Sequence, residues 1–283
     1  MRLFNSKLNT LFNSRQVIKV IAGLDNSNMH NILKIVKAAE LSNATYIDTI
    51  ANTYIIKKLK SISSLPICAS SISPIDLYNC VVVGADLVEL GNFDSFYKQK
   101  IYLSLSNVLE LAKETISLIG NIDICVTIPY YLHLQDQIKL ARELEAVGVN
   151  IIQTEGIPTF NKNYSTFVPD SNLNLNDYIF SSLNLSCLPL SSAYILSNYV
   201  NIPIITSSKM NCLSSSMANF YGSSGIGIGS KISQKSCIQE MSSYIDEVRQ
   251  SLKLINCQRY LINDMESYKK FSNYMSSCIS VNK

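Results

Sequence analysis

The side chains best suited to chemistry are carboxylates that lie inside apolar segments of the chain. Four such segments begin in a similar way, at 43–45, 84–86, 148–150 and 222–224. The fifth residue after each beginning is, in order, Asp48, Glu89, Gln153 and Gly227. A carboxylate buried without a partner costs several kcal/mol, so residues of this kind indicate a polar site within the core. Two positions beyond Gln153, Glu155 adds another carboxylate.

Carboxylates grouped in this way can act as general acids and bases, or bind a ligand, with at least one raised pKa. The predicted catalytic or ligand-binding residues are therefore Asp48, Glu89, Gln153 and Glu155. A hydrogen-bonded polar core without chemistry is the alternative interpretation.

Small residues near the end of two later segments indicate a phosphate site. Small side chains let the backbone approach a ligand, and the N–H groups of a loop or a helix N-terminus can hold a phosphate. The predicted phosphate-binding residues are Ser207, Ser208, Gly227, Gly229 and Ser230. Tight packing between a strand and a helix is the alternative explanation.

Two lysines are candidates for Schiff-base chemistry. The repeat aligns Lys19 with Asp123, which favours a structural salt bridge between them at the base of the fold. Lys209 follows the segment 203–208 and is expected to face solvent or a phosphate. Asp25 either lies at the mouth of the site or caps a helix.

A regular framework must position these residues, and the apolar spacing predicts one. Strands are predicted at 17–24, 45–51, 66–72, 87–92, 122–128, 151–156, 203–208 and 225–230. Each is followed by apolar residues at helical spacing. Eight strand–helix units in about 240 residues favour a (β/α)8 TIM barrel, whose usual size is about 250 residues, over an open doubly wound sheet. Alternate strands of a barrel contribute side chains to shared layers, which would bring the polar repeat positions together if they point inward.

The whole chain, 1–283, is predicted to be a single domain with the barrel at about 17–253. Apolar residues between 4 and 12 favour a short helix packed on the barrel over a transit peptide. The Asn- and Ser-rich stretch at 157–189 is predicted to be a long insertion after strand six, either a lid or an ordered insert. The loop at 92–97 is either a substrate loop or merely an ordered loop. The tail after about 255 is expected to be an extra helix or a loose end.

Composition narrows the class of protein. The net charge of +3 predicts no nucleic-acid partner, and no apolar run approaches the ~18 residues of a membrane helix. The eight cysteines include no CxxC pair, so they are predicted to be reduced core residues. No metal site is predicted, because His30 and His133 lack the spacing of metal ligands.

Four stretches, at 19–26, 65–71, 84–97 and 150–156, together resemble the hypothetical chloroplast reading frame twenty-three family of algal plastids and cyanobacteria. The resemblance runs from about Arg15 to about Arg249. It implies a TIM barrel and a stromal, plastid-encoded protein, and it supplies no accepted catalytic residues. Members of that family have His where this chain has Tyr130, and Gly where it has Ser208. If that His is catalytic, this chain is impaired, and Ser208 weakens the predicted phosphate contact after strand seven.

Three functions remain open at this point. The first is an enzyme that acts on a small phosphorylated metabolite, and the second is a sensor that binds such a metabolite without turnover. The third is a scaffold whose polar barrel core is structural. Flavin mononucleotide is one cofactor that a phosphate-binding barrel can hold.

Overall fold

The computed structural model describes residues 3–23, 27–91, 93–158 and 175–253, with the backbone alone for 94–95 and 175–184. Eight parallel strands close into a barrel in sequence order, each hydrogen-bonded to the next and β8 to β1. The predicted (β/α)8 barrel is confirmed, and the open sheet is wrong. Asp25 and the tail after 253 lie outside the described residues.

The strands are short, and their side chains alternate between the barrel interior and the helices outside. Their bounds are β1 Val17–Ile21, β2 Tyr46–Ile50, β3 Ile67–Ser71, β4 Leu87–Leu90, β5 Asp123–Ile128, β6 Ile151–Thr154, β7 Ile204–Thr206 and β8 Gly225–Ile228. Their register places Ser70 beside Glu89, Thr127 beside Gln153, and Lys19 beside Gly227.

The helices lie before, between and after these strands. Their bounds are α1 Ser6–Asn13, α2 Met29–Leu41, α3 Thr53–Lys60, α4 Pro74–Val82, α5 Asp94–Lys98, α6 Leu105–Ile119, α7 Leu134–Val147, α8 Leu175–Leu196, α9 Cys212–Phe220, α10 Ser230–Ser233 and α11 at 238–253. Asn or Ser side chains cap several of them by accepting backbone N–H groups, as Asn28 does for α2 and Ser104 does for α6. None of the described helices is long and apolar enough to cross a membrane.

The base of the barrel is an apolar plug. Val17, Tyr46, Leu87 and Ile151 pack inside the barrel together with Leu8 and Phe12 of α1, so the predicted N-terminal helix is confirmed. Of the apolar residues in the predicted helix, Phe4 is the exception, because it is exposed and lies before the helix. This plug closes the amino ends of the strands, which leaves the carboxyl ends as the open face.

The segment after β6 differs from its predicted form. Helix α8 begins at Leu175, whereas the sequence places the start of a helix near 190. Pro189 lies inside this helix and interrupts the helical pattern in the sequence, because proline disfavours a helix interior. The Thr154 hydroxyl donates to the Pro189 carbonyl oxygen at 2.9 Å. The insertion is therefore helical from 175 onward, and residues 159–174 lie outside the described part of the chain.

Candidate functional site

A lysine lies between two carboxylates at the centre of the barrel. The Nζ of Lys19 is 2.8 Å from Asp48 Oδ2, donates to Glu89 Oε2, and donates to Gln153 Oε1 at 2.9 Å. Lys19, Asp48 and Glu89 have no accessible surface. Lys19 pairs in register with Tyr46, two residues before Asp48, so its long side chain reaches along the strand direction into the polar layer.

Neutral donors add hydrogen bonds to both carboxylates. Glu89 Oε1 accepts from Thr127 Oγ1 at 3.1 Å and from Gln153 Nε2 at 2.8 Å. The Ser70 hydroxyl donates to Asp48 Oδ1. A buried charge is tolerated when it is both paired and hydrogen-bonded, and this layer meets both conditions. We call these six residues the charged floor: Lys19, Asp48, Ser70, Glu89, Thr127 and Gln153.

The electrostatics of the charged floor keep Lys19 protonated. Burial acts to lower the pKa of Lys19, but the negative charges of Asp48 and Glu89 outweigh it and raise that pKa well above its ordinary value. Burial raises the pKa of Asp48 to about 6, although Lys19 acts in the opposite direction. An ammonium held in this way is a counterion, because a Schiff base requires the neutral amine.

The predicted salt bridge between Lys19 and Asp123 is wrong. The carboxylate of Asp123 instead accepts the backbone N–H groups of Phe4 at 2.9 Å and Asn5 at 3.0 Å, ahead of α1. Alignment by the repeat compares backbone levels, and the Lys19 side chain extends well past its own level. Asp123 therefore anchors the N-terminal segment at the base, and Lys19 serves the layer above.

The raised pKa of Asp48 predicts a pH-dependent stability. On folding, that pKa rises from 3.8 to about 6, chiefly because burial disfavours the charged form. A carboxyl with a raised folded-state pKa stabilises the fold below about pH 4, and this contribution is lost as the pH rises through about 6. A shift of about two units corresponds to about 3 kcal/mol.

We therefore expect the unfolding free energy of Asp48→Asn minus that of the wild type to increase by about 3 kcal/mol as the pH rises from about 4 to about 7. Urea unfolding of both proteins across this range measures the difference. Titrating groups that do not interact with Asp48 are common to the two proteins and cancel. A difference that stays constant with pH would contradict the raised pKa.

A cavity of about 590 Å³ opens above the charged floor at the carboxyl ends of the strands. It is lined by Ile21, Ala22, Gly23, Glu89, Phe93, Thr127, Gln153, Glu155, Gly156, Ile157, Pro158, Ser207, Ser208, Lys209, Met210, Gly227, Ile228, Gly229, Ser230 and Ser233. Of the predicted site residues, Asp48 does not line it, because Asp48 is covered by Lys19 and Ser70 within the charged floor. The structure thus brings the other eight together, and their roles stay predictions.

One wall of the cavity is acidic and is held by tyrosines. Glu155 follows β6, and its Oε1 accepts from the Tyr97 hydroxyl and from the Tyr130 backbone N–H at 3.0 Å. The rings of Tyr97 and Tyr130 meet edge to face at 5.4 Å. This contact was not predicted from the sequence. The aromatic residues within the candidate loop at 92–97 were the available signal, and Phe93 from the same loop lines the cavity.

A second wall, formed by the ends of β7 and β8, adjoins the first because β6 pairs with β7, and it combines small residues with a lysine. Ser208 and Lys209 both have left-handed backbone conformations, with φ of 71° and 57°. Glycine adopts this conformation more readily than serine, so the backbone at Ser208 is strained. A Cβ on Gly227 would lie 2.7 Å from Ser207 Oγ. The close packing therefore requires glycine there and leaves the serine hydroxyl beside the cavity.

The closed parallel barrel, with a polar cavity at the carboxyl ends of its strands, defines a TIM-barrel protein. Solved structures agree on this fold. A thiamine phosphate pyrophosphorylase from Pyrococcus furiosus is similar with a TM-score of 0.54 and 15% identity, over 84% of this chain and 96% of that one. A truncated 3-deoxy-D-arabino-heptulosonate 7-phosphate synthase from Thermotoga maritima has a TM-score of 0.55 and 13% identity, over 86% and 87%.

The chain belongs to the family described as "Protein of unknown function (DUF561)", whose model matches residues 3–258. An "Uncharacterized protein ycf23" from Antithamnion sp. is 47% identical over 248 residues, which is 88% of each chain. A protein of the same name from Cyanophora paradoxa is 38% identical over 251 residues, 86% of this chain and 96% of that one. The predicted family is thereby confirmed. Since the ycf genes of such organisms are plastid-encoded, the protein is located in the plastid.

No group of three or more His, Cys, Asp or Glu side chains is arranged to hold a metal ion among the residues that the structure describes. His30 lies in α2 on the outside of the barrel, and His133 precedes α7 without a side-chain cap bond. Cys68 and Cys125 are buried thiols beneath the charged floor. Cys257 and Cys278 lie outside the described residues.

Proposed function

We propose that the protein binds a small phosphorylated metabolite in the cavity above the charged floor, with the phosphate on the β7–β8 wall. The observation that carries this proposal is the set of groups that line the cavity at the ends of β7 and β8. Lys209 lies there among serines and glycines, and Glu155 follows the neighbouring strand β6. A volume of about 590 Å³ lies within the usual range of small-molecule sites, roughly 300–1,000 Å³.

The β7–β8 wall offers the groups that an anion needs. Ser207, Ser208 and Ser230 place hydroxyl groups around the cavity, and Lys209 adds an ammonium group. Gly229 packs against β1, because a Cβ there would lie 3.0 Å from the Cβ of Ile21. Loops after strands seven and eight are a frequent phosphate site in TIM barrels, which supports this assignment.

Glu155 is the residue of this cavity best suited to proton transfer. Glu89 already accepts from Lys19, Thr127 and Gln153, so it is a fixed element of the floor. Glu155 is half-buried, lines the cavity and is oriented by Tyr97 and Tyr130, as an acid–base group requires. An enzyme that moves a proton on a phosphorylated metabolite is therefore the function that the geometry supports best.

A sensor that binds without turnover is the second candidate, and the completeness of the charged floor favours it. Each carboxylate of that layer is paired and hydrogen-bonded, which is what a structural core requires. Binding of a phosphorylated ligand that is recovered unchanged, by both the wild type and Glu155→Gln, would select this function over catalysis.

The test is a titration of the purified protein with inorganic phosphate and a panel of phosphorylated metabolites by calorimetry. We expect Lys209→Met to weaken phosphate binding by roughly 10- to 100-fold, since a hydrogen bond to a charged group contributes about 1.5–3 kcal/mol. Flavin mononucleotide belongs in the panel because its phosphate would occupy the same wall, and a yellow colour on purification would reveal it.

Lys113→Met is the matched control for charge. Lys113 is exposed on α6, outside the cavity lining, so its loss removes one positive charge without altering the wall. Equal phosphate affinity in the Lys209 and Lys113 variants would contradict the proposal that phosphate binds on the β7–β8 wall. A fully folded wild type that binds no member of the panel would favour the scaffold function.

A further inference from the structure

We propose that the cavity selects phosphomonoesters whose far end carries hydroxyl or amino groups, and that it discriminates against those whose far end carries a carboxylate. This inference rests on the proposed function, because it assumes that the phosphate occupies the β7–β8 wall. It goes further by naming the chemistry of the rest of the ligand.

Lys209 is the only basic side chain among the described residues that line the cavity. The other charged side chains among these residues are Glu155 and Glu89. A ligand with its phosphate beside Lys209 therefore meets only acidic charge along the rest of the described lining. A second anionic group would meet carboxylates and would find no cation among these lining residues.

Glu155 is held in place by two hydrogen-bond donors. The Tyr97 hydroxyl and the Tyr130 N–H both donate to Oε1, which fixes the carboxylate beside the cavity. Tyr97 is itself buried and packed against Phe93 and Tyr130, which prevents the pair from swinging away. A fixed acceptor matches an O–H or N–H group on the ligand.

The charged floor adds to this preference. Lys19 contributes one positive charge, and Asp48 and Glu89 contribute two negative charges when both are ionised. The buried layer then carries a net charge of minus one beneath the cavity. Like charges close together in a site of low dielectric repel strongly, so a ligand carboxylate is disfavoured from below as well as from the wall.

The remaining lining is neutral. Phe93, Ile157 and Met210 supply apolar contact. The side chains of Thr127 and Gln153 donate their hydrogen bonds within the charged floor. Thr127 donates to Glu89, and Gln153 Nε2 lies near both Glu89 and Thr127. None of these neutral groups supplies a positive charge for a carboxylate.

Two commercially available esters test this directly. Glycerol 3-phosphate and 3-phosphoglycerate differ only in a terminal hydroxymethyl group against a carboxylate. We expect the wild-type protein to bind glycerol 3-phosphate at least tenfold more tightly, measured by calorimetry at one pH and ionic strength. Inorganic phosphate, titrated in parallel, reports on the phosphate wall alone.

The Glu155→Gln variant assigns the discrimination to one side chain. We expect its ratio of affinities to fall at least threefold, mainly because 3-phosphoglycerate binds better. Glu110→Gln is the control, since Glu110 is exposed on α6 and its removal changes the net charge equally. An unchanged ratio in Glu155→Gln, with its thermal midpoint retained, would overturn the role given to Glu155.

The outcomes separate the two proposals. If phosphate and both esters fail to bind, the proposed function fails. If phosphate binds and the two esters bind equally, or the carboxylated ester binds more tightly, the selectivity is wrong and the phosphate wall stands. The ratio of the two ester affinities in the wild type tests the selectivity without any variant. The selectivity can therefore be disproved even if the Glu155 variant misfolds.

Discussion

Replacing Lys19 by methionine is expected to lower the unfolding free energy by about 3–5 kcal/mol, because it leaves buried carboxylates without their cation. Both Asp48 and Glu89 have no accessible surface, and both contact the same Nζ. Methionine matches the length of the lysine stem, so the loss reflects charge more than volume. Urea unfolding at neutral pH measures the change.

A neutral version of the layer is the matched control. The combined variant Lys19→Met, Asp48→Asn, Glu89→Gln removes every charge and keeps amide groups for Ser70 and Thr127. We expect it to recover most of the lost stability, since a whole buried ion network can be replaced at little cost while a broken one cannot. The single variant should also lose less at acidic pH, where its carboxylates become protonated.

A loss below about 1 kcal/mol in Lys19→Met would place the layer among weak, solvent-screened pairs. That result would also undermine the proposed electrostatics of the cavity, because Glu89 would then not depend on Lys19. Recovery by the neutral triple variant has a further use. It separates the stability of the barrel from the charge beneath the cavity, so ligand selectivity can be measured without the net negative floor.

Much of the barrel could be predicted from the sequence because it depends on local periodicity. Alternation along a strand fixes which residues share a face, and the repeat fixes their level. These two features place Glu89, Gln153 and Gly227 together, as the structure does. The second half of the insertion could not be recognised, because Pro189 and an Asn/Ser-rich composition conceal the start of α8 at Leu175.

The site was predictable only where the level of a residue along its strand determines whether its side chain reaches the cavity. Lys19 was assigned to Asp123 because the repeat says nothing about how far a side chain reaches past its own level. The contact from Tyr97 to Glu155 joins residues 58 positions apart, and no periodic pattern reports such a pair. Asp48 shares its level with Glu89 but is covered by Lys19 and Ser70, so equal level did not give equal access.

A single methyl group added at Gly225 should be strongly destabilising. A Cβ there would lie closer than 3.0 Å to both the carbonyl oxygen and the Cβ of Val17, its partner across the β8–β1 seam. This seam closes the barrel, and it lies in the apolar plug beneath the charged floor. We expect Gly225→Ala to lower the unfolding free energy by at least about 3 kcal/mol, at the upper end of overpacking effects.

Two comparisons show that space at the seam is responsible for this loss. Gly148 has a φ of 103° and nothing within 4 Å of an added Cβ, so Gly148→Ala should cost only about 1 kcal/mol of backbone strain. Adding Val17→Ala to Gly225→Ala should not restore stability, because the obstructing oxygen belongs to the backbone. Urea unfolding followed by circular dichroism measures all three. Equal losses at Gly225 and Gly148 would show that the seam can open to admit a side chain, and the rigid base assumed for the charged floor would then be wrong.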